Sequence, residues 1–323
     1  MSQVHVAVLG KCIFCTKTKG PFRSVEHIVP ESLGNNSGRH VLPKGAVCDP
    51  CNNYFATKVE GPVLGHISFQ NLRAKYMIPT KRGRTPFVKG FAHNTDIEVG
   101  MRLDKKTERL EFFAVKENQR AEYERLKRLD SMFIRQNLLV FPMEVDPPER
   151  DMSRFLAKMA LEALFARFCD TVGEKEAYDI LSAEHYDKVR EWARYGHNFA
   201  EWPYHYRAYF PEETLMEHPE TKEWVQFGFG YDLLLTDRPE TYFVFSIHGH
   251  EFVINLGGPA IKGYEQWLSP AFVHRFQYIS CATGGVWDRR ACGRSTRLRH
   301  FRSSRLVTAW QAPPARYQDS SSI

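Results

Sequence analysis

The chain of 323 residues contains no apolar run near the roughly 18–20 residues that a membrane-spanning helix requires, which excludes an integral helical membrane protein. Internal repeats and long low-complexity segments are missing too, which leaves ordinary globular domains. Met1 to Gly10 has a short apolar patch (Val4 to Leu9) but lacks the basic start and long apolar core of a signal peptide. Cysteine is scarce and odd in number, seven in all, which argues against a disulfide scaffold and for a reducing, cytoplasmic setting. What is present is ordinary: 43% hydrophobic and 25% charged residues, in a length that accommodates two domains.

The net charge of +6 conceals a partition. Residues 1–90 carry 13 Lys/Arg against 4 Asp/Glu, residues 91–280 carry 23 against 32, and residues 281–323 carry 8 against 2. The first 90 residues therefore read as a basic module on an acidic body. Concentrated positive charge is the electrostatic footprint of a nucleic-acid partner, although charge alone does not exceed what a solvated surface explains.

Punctuation and periodicity divide the chain into 1–86, 87–280 and 281–323. The first segment ends in the basic loop Lys81-Arg82-Gly83-Arg84-Thr85-Pro86. Alternation from Phe87 to Val115, with a turn at Leu103 to Thr107, predicts a hairpin. Glu117 to Asp130 predicts a charged helix. Asp151 to Phe168 predicts a stronger one, with Phe155, Met159, Leu161, Ala163, Leu164 and Phe168 at helical spacing. A further helix is expected over Glu174–Tyr195, then strands over 224–235, 241–248 and 251–256, with Gly249-His250 as a tight hairpin turn. The body is thus α+β, antiparallel strands packed on helices. Residues 281–323, with seven arginines between Arg289 and Arg305 and no lysine, read as a disordered basic tail.

Cys12-x-x-Cys15 and Cys48-x-x-Cys51 are two knuckles 32 residues apart. Each places two thiolates on one side of a tetrahedron, and together they complete the four ligands of a closed structural Zn²⁺ site. Cys169 reads as a core residue. Helix signals surround the second knuckle: Asp49 as N-cap, Pro50 at the first position and Gly61-Pro62 as terminator, with Cys51, Phe55 and Val59 facing inward and Asn52 turned about 100° away. Phe22 to Val29 alternates like a strand, bent at Pro30.

Between and after the knuckles stand Glu26-His27-Ile28-Val29-Pro30 and Cys51-Asn52-Asn53. With the two knuckles, these resemble the HNH (ββα-metal) nucleases, in particular the zinc-stapled subfamily, over roughly residues 10–65. The resemblance implies an N-terminal ββα-metal module and a metal-dependent endonuclease hydrolysing phosphodiester bonds in DNA. In it His27 is the general base, a task suited to an imidazole that ordinarily titrates near pH 6.5. Glu26 and Asn52 supply oxygen ligands to one catalytic divalent cation, Mg²⁺ or another. A loop residue fixes the backbone so that His27 points correctly; Asn35, Asn36 and His40 compete for that place, and position favours His40. Lys81, Arg82 and Arg84 are candidate phosphate contacts. The acid before the histidine is Glu where the family more often has Asp.

Several residues read as bystanders. Asn53 is expected on the helix surface, Glu60 as a solvated carboxylate, and His248 and His250 as turn or surface residues. Tyr204, Tyr206, Tyr209 and Phe210 are read as core rather than as base-stacking groups. Two other functions stay open: a non-catalytic zinc-stabilised nucleic-acid-binding module, and a nuclease gated by a sensing or partner-binding body, as in defence systems. The partner is DNA, with RNA left open, and an activator protein is compatible with the acidic body. One ββα unit attacks one strand, so a double-strand break asks for a homodimer or two sequential events.

Overall fold

The computed structural model describes residues 11–18, 20–35, 40–76, 78–79, 86–92, 95–104, 109–129, 139–140, 149–196, 201–208, 215–217, 222, 224–235, 240–267 and 307–311. They form two compact units. One is built from the described residues of 1–30, 35–60 and 149–323, the other from those of 31–34 and 61–148.

In the first unit the central element is helix α5 (Glu149–Val172). Every residue from Met152 to Phe165 on it is buried. A helix apolar on one stripe would leave a wet face; this one is enclosed, because α6 (Glu174–Leu181), α7 (Asp187–Tyr195) and an antiparallel sheet all pack on it. The sheet runs β10 (Val307–Gln311), β7 (Trp224–Leu235), β8 (Thr241–Ile247), β9 (His250–Asn255), β5 (Tyr204–Ala208), with β6 (Leu215–Glu217) also paired to β7. Its side chains Leu234, Tyr242, Val244 and Val253 form an apolar cluster with Ile261 and Tyr264, which follow β9 in the chain. His248 and Gly249 make the β8–β9 turn with positive φ of 46° and 87°.

The same unit holds the knuckle segment. Its helix α1 (Asp49–Phe55) passes into a π turn over Ala56–Glu60. Single π turns inside helices insert one residue per turn and recur at functional sites.

The second unit contains α2 (Gly61–Gly65), α3 (Ile67–Lys75), α4 (Arg120–Leu129) and the antiparallel sheet β3 (Arg109–Ala114), β2 (Glu98–Asp104), β1 (Val88–Ala92), β4 (Leu139–Val140). Asn71 on α3 closes both backbone groups of Lys89: its Oδ1 accepts from the amide at 2.7 Å and its Nδ2 donates to the carbonyl at 3.2 Å. Ala92, Ile97, Val99 and Tyr123 form the core under this sheet.

The architecture is α+β as expected, and several local expectations change. The predicted 174–195 helix is broken by a 3₁₀ turn at Glu184–Tyr186. Gly61 and Pro62 open α2 directly after the π turn instead of ending a helix. Phe22–Val29 is no strand: pairing shrinks to one antiparallel bridge, His27 with Val41. His248 lies in the β8–β9 turn as expected, though buried there, while His250 is neither turn nor surface but a buried residue of β9. Tyr206 is 41% exposed rather than core, while Tyr209 and Phe210 lie outside the described residues. Within the stretch read as a tail, residues 307–311 form β10, and its arginines from Arg289 to Arg305 lie outside the described residues. Among the described residues no helix is long and apolar enough to cross a membrane.

Candidate active site and metal centre

The four knuckle cysteines converge: the Sγ atoms of Cys12, Cys15, Cys48 and Cys51 all lie within 4.8 Å of one another. Cys15 and Cys48 Sγ are 3.7 Å apart. A tetrahedron with Zn–S bonds of about 2.3 Å has edges of about 3.8 Å, so the donor set fits Zn²⁺. The first knuckle turns through Thr16 (φ 57°), whose amide donates to the Cys12 carbonyl; the second is the start of α1, where the amides of Cys51 and Asn52 donate to the Cys48 carbonyl. Without metal the sulfurs compete for one charge. Bonding from Cys51 draws the Cys12 thiol down to about 5, burial pushes Cys48 up to about 11, and the same hydrogen bond with Cys12, together with burial, drives Cys51 up as well. A divalent cation removes that conflict. Arg194 of α7 donates to Cys51 Sγ, placing a positive group beside a site that four thiolates leave anionic.

Asp49 was expected to cap α1. Instead Cys48 occupies the cap position, with no side-chain bond, and Asp49 reaches back to the chain before the acid–His pair. Its Oδ1 accepts from the Arg23 amide at 2.9 Å and from the Ser24 amide and hydroxyl at 3.0 and 2.7 Å. Those bonds hold its carboxyl down at about 2.

From there Glu26 and His27 enter the bridge. The Leu42 amide donates to the Glu26 carbonyl and the Ile28 amide to the His40 carbonyl, both at 2.9 Å. Asn35 then ties the loop: its buried Nδ2 donates to the Val29 carbonyl at 2.8 Å and to the His40 carbonyl at 3.3 Å. That is the backbone-fixing geometry for which sequence position favoured His40. The His40 ring packs edge-on against Phe229 and Tyr231 of β7, at 5.3 and 5.9 Å between centroids. Asn36 lies outside the described residues, as do Lys81, Arg82 and Arg84. Asn52 is half-buried in the first turn of α1, Asn53 is exposed on its surface, and His27 is half-buried.

Sequence reasoning missed the group that touches Glu26. Lys158 of α5 is fully enclosed, and its ammonium donates to Glu26 Oε1 at 2.5 Å, to Glu60 Oε1 at 2.7 Å and, more weakly, to the His27 carbonyl at 3.3 Å. Glu162, one turn along α5, brings Oε2 to 3.1 Å without hydrogen-bond alignment, and neither of its carboxyl oxygens has a hydrogen-bond partner. Glu60, expected in solvent, belongs to this cluster. Burial would push the Lys158 ammonium down, but Glu162, Glu26 and Glu60 overrule it and hold it well above 10.5. Burial drives Glu162 well above 4.5 and raises Glu26 against the pull of Lys158. The arrangement is one buried ammonium facing three carboxyl groups, of which Glu26 and Glu60 accept its hydrogen bonds. A signal was present in the sequence: Arg154, Lys158 and Glu162, at i, i+4 and i+8, form a charged stripe in a stretch, Met152 to Phe165, that apart from Ser153 is otherwise apolar.

If a hard divalent cation binds as the resemblance implies, Glu26 and Asn52 would be its donors. Glu26 commits one carboxylate oxygen to Lys158 and retains the other, and Asn52 offers an amide oxygen on a half-buried first turn. Oxygen donors of this kind suit Mg²⁺, so the residues fit.

Comparison with known proteins agrees with the N-terminal reading. Residues 12–68 match the family model of the HNH endonucleases, under a fifth of the chain. The match includes the four cysteines, Glu26, His27, Asn35, Asn52 and Glu60, and excludes α5 with Lys158. No curated protein and no solved structure matches this chain.

Proposed function

We propose that the chain is a metal-dependent endonuclease that hydrolyses phosphodiester bonds in DNA through the 12–68 segment. The observation that carries the proposal is the pinned backbone of the acid–His pair: bridged to Val41 on one side and locked by Asn35 on the other, beside the four-cysteine corner. A binding module has no need to hold Glu26-His27 so tightly. In this reading His27 takes a proton from the attacking water, and Asn35 keeps its backbone in place. Glu26 and Asn52 would hold the divalent cation. When bound, that ion stabilises charge on the scissile phosphate and the departing 3′ oxygen. Lys81, Arg82 and Arg84 would contact the phosphate backbone.

One observation favours the second reading, a non-catalytic nucleic-acid-binding module: an oxygen of the acid is already bound to an ammonium. Supercoiled plasmid incubated with Mg²⁺ or Mn²⁺, with EDTA as control, separates the two. The nuclease converts it to open-circle or linear DNA. His27→Ala lowers that rate by about 10²–10⁴-fold and leaves DNA binding near wild type. Full cleavage in His27→Ala refutes the base assignment, and no cleavage by wild type in either metal, with DNA bound, selects the binding module.

A further inference from the structure

The cluster around Lys158 ties a helix outside the HNH match to the acid–His pair inside it. An ammonium has three protons to donate. Here they meet Glu26 Oε1, Glu60 Oε1 and, more weakly, the His27 carbonyl, with Glu162 Oε2 close by at 3.1 Å but outside hydrogen-bond alignment. All of these groups belong to one compact unit. Burying an ammonium completely is costly without close anionic partners, and a packing position on α5 would be filled at less cost by Leu or Met. Glu60 reaches the cluster from the π turn, the irregular stretch of its helix. Each of these features converges on one carboxylate and one carbonyl, those of Glu26 and His27.

The geometry points to Lys158 as a positioning residue of the nuclease site: a cation tethered to α5 that holds one oxygen of Glu26 and the carbonyl of His27, leaving the other Glu26 oxygen to the divalent ion. This rests on the nuclease reading of residues 12–68. Its role is opposite in sign for binding and for reaction. The ammonium repels an incoming divalent cation, so its presence weakens metal binding. It also fixes where the Glu26 oxygen sits, so its presence speeds cleavage. A purely structural lysine would support both or neither.

The test uses the full-length, zinc-loaded protein. Mn²⁺ binding is read from the electron paramagnetic resonance signal of the free ion, zinc content by metal analysis, and cleavage on supercoiled plasmid in Mg²⁺. Lys158→Met should bind Mn²⁺ about tenfold more tightly, since a positive charge has left the site. It should cleave about 100-fold more slowly, the scale of a 1 Å misplacement. Zinc content and DNA binding should stay at wild-type levels. Unchanged Mn²⁺ affinity, or unchanged cleavage, in a folded Lys158→Met overturns the proposal.

If that variant does not fold, Lys158→Met with Glu60→Gln removes one charge of each sign and preserves the net charge of the cluster. It should retain zinc, bind Mn²⁺ within about threefold of wild type and still cleave about 100-fold more slowly; wild-type cleavage by the double variant overturns the proposal. If wild type cuts no plasmid in any metal, the nuclease reading fails by itself. Tighter Mn²⁺ binding in Lys158→Met then still assigns Lys158 control of Glu26, and no change in Mn²⁺ binding refutes it.

Discussion

The knuckle corner and the Lys158 corner solve one problem in two ways. Each gathers several anionic side chains from distant stretches of chain, and each needs a cation at its centre. At the first, four sulfurs within 4.8 Å of one another suit an exchangeable ion. At the second, the oxygens of Glu26 and Glu60 stand 2.5 and 2.7 Å from an ammonium covalently fixed to α5. The first cation can be lost to solvent; the second can be removed only by mutation or by loss of its proton. The same folded unit therefore has one corner sensitive to chelators and acid and another sensitive to alkali.

The largest expected effect breaks the exchangeable corner. Cys51→Ser, or prolonged chelation, removes a structural metal whose binding in small zinc domains is coupled to folding by about 10–16 kcal/mol. The 12–60 region should lose its protection from proteolysis and hydrogen exchange; full protection in metal-free protein would refute a structural zinc. Acid should do the same more gradually, because thiolates must stay deprotonated to bind metal.

Next comes the tethered corner. Removing the ammonium leaves buried carboxylates uncompensated, so Lys158→Met should cost about 3–5 kcal/mol in equilibrium unfolding by denaturant. The pH dependence has the opposite sign to that of the knuckles. The folded Lys158 lies well above its ordinary 10.5, so its contribution is fully present below pH 10.5 and is lost only as pH rises through the folded value. Denaturation midpoints in alkaline buffers, for wild type against Lys158→Met, read this directly: the difference between the two should shrink at high pH.

How much of this was legible in the sequence depends on distance along the chain. The knuckles were legible because two residues separated by two others already define half a tetrahedron. Helix α5 and strand β7 were legible from periodicity and length, and β7 spans the expected 224–235. The Glu26-His27 pair was found by motif, but its support was not. Asn35 was among the three residues competing for the loop position, and residue type alone could not show which carbonyls it would bond. Lys158 was hidden by a rule that usually holds: charged residues on a helix face water. Only the burial of α5 on every side from Met152 to Phe165 reverses it. The expected strand at 22–29 failed for a related reason, since the Asp49 carboxylate and Asn35 amide satisfy amides and carbonyls that a ladder would otherwise pair.

Two smaller substitutions sharpen the contrast. Arg194→Met removes the donor to Cys51 Sγ and should weaken zinc affinity about 10–100-fold, the usual scale for a group that hydrogen-bonds a metal ligand, while Lys158 is untouched. Competition with a chromophoric chelator measures it. Glu162→Gln should do least. Burial raises that carboxyl well above its ordinary range and neither of its oxygens makes a hydrogen bond, so the neutral amide should change stability by less than about 1 kcal/mol in denaturant titrations. A loss comparable to that of Lys158→Met would mean that Glu162 is ionised and shares the ammonium.

The separation of 98 residues between Glu60 and Lys158 also sets a clock. During synthesis at about 5–20 residues per second, the chain through Glu60 emerges about 5–20 s before Lys158 does. The knuckles can close on zinc as soon as Cys51 is out. Glu26 must wait for α5 to be made and packed. A growing chain can thus carry the four cysteines and the whole 12–68 segment while the Glu26 carboxylate still lacks its ammonium partner.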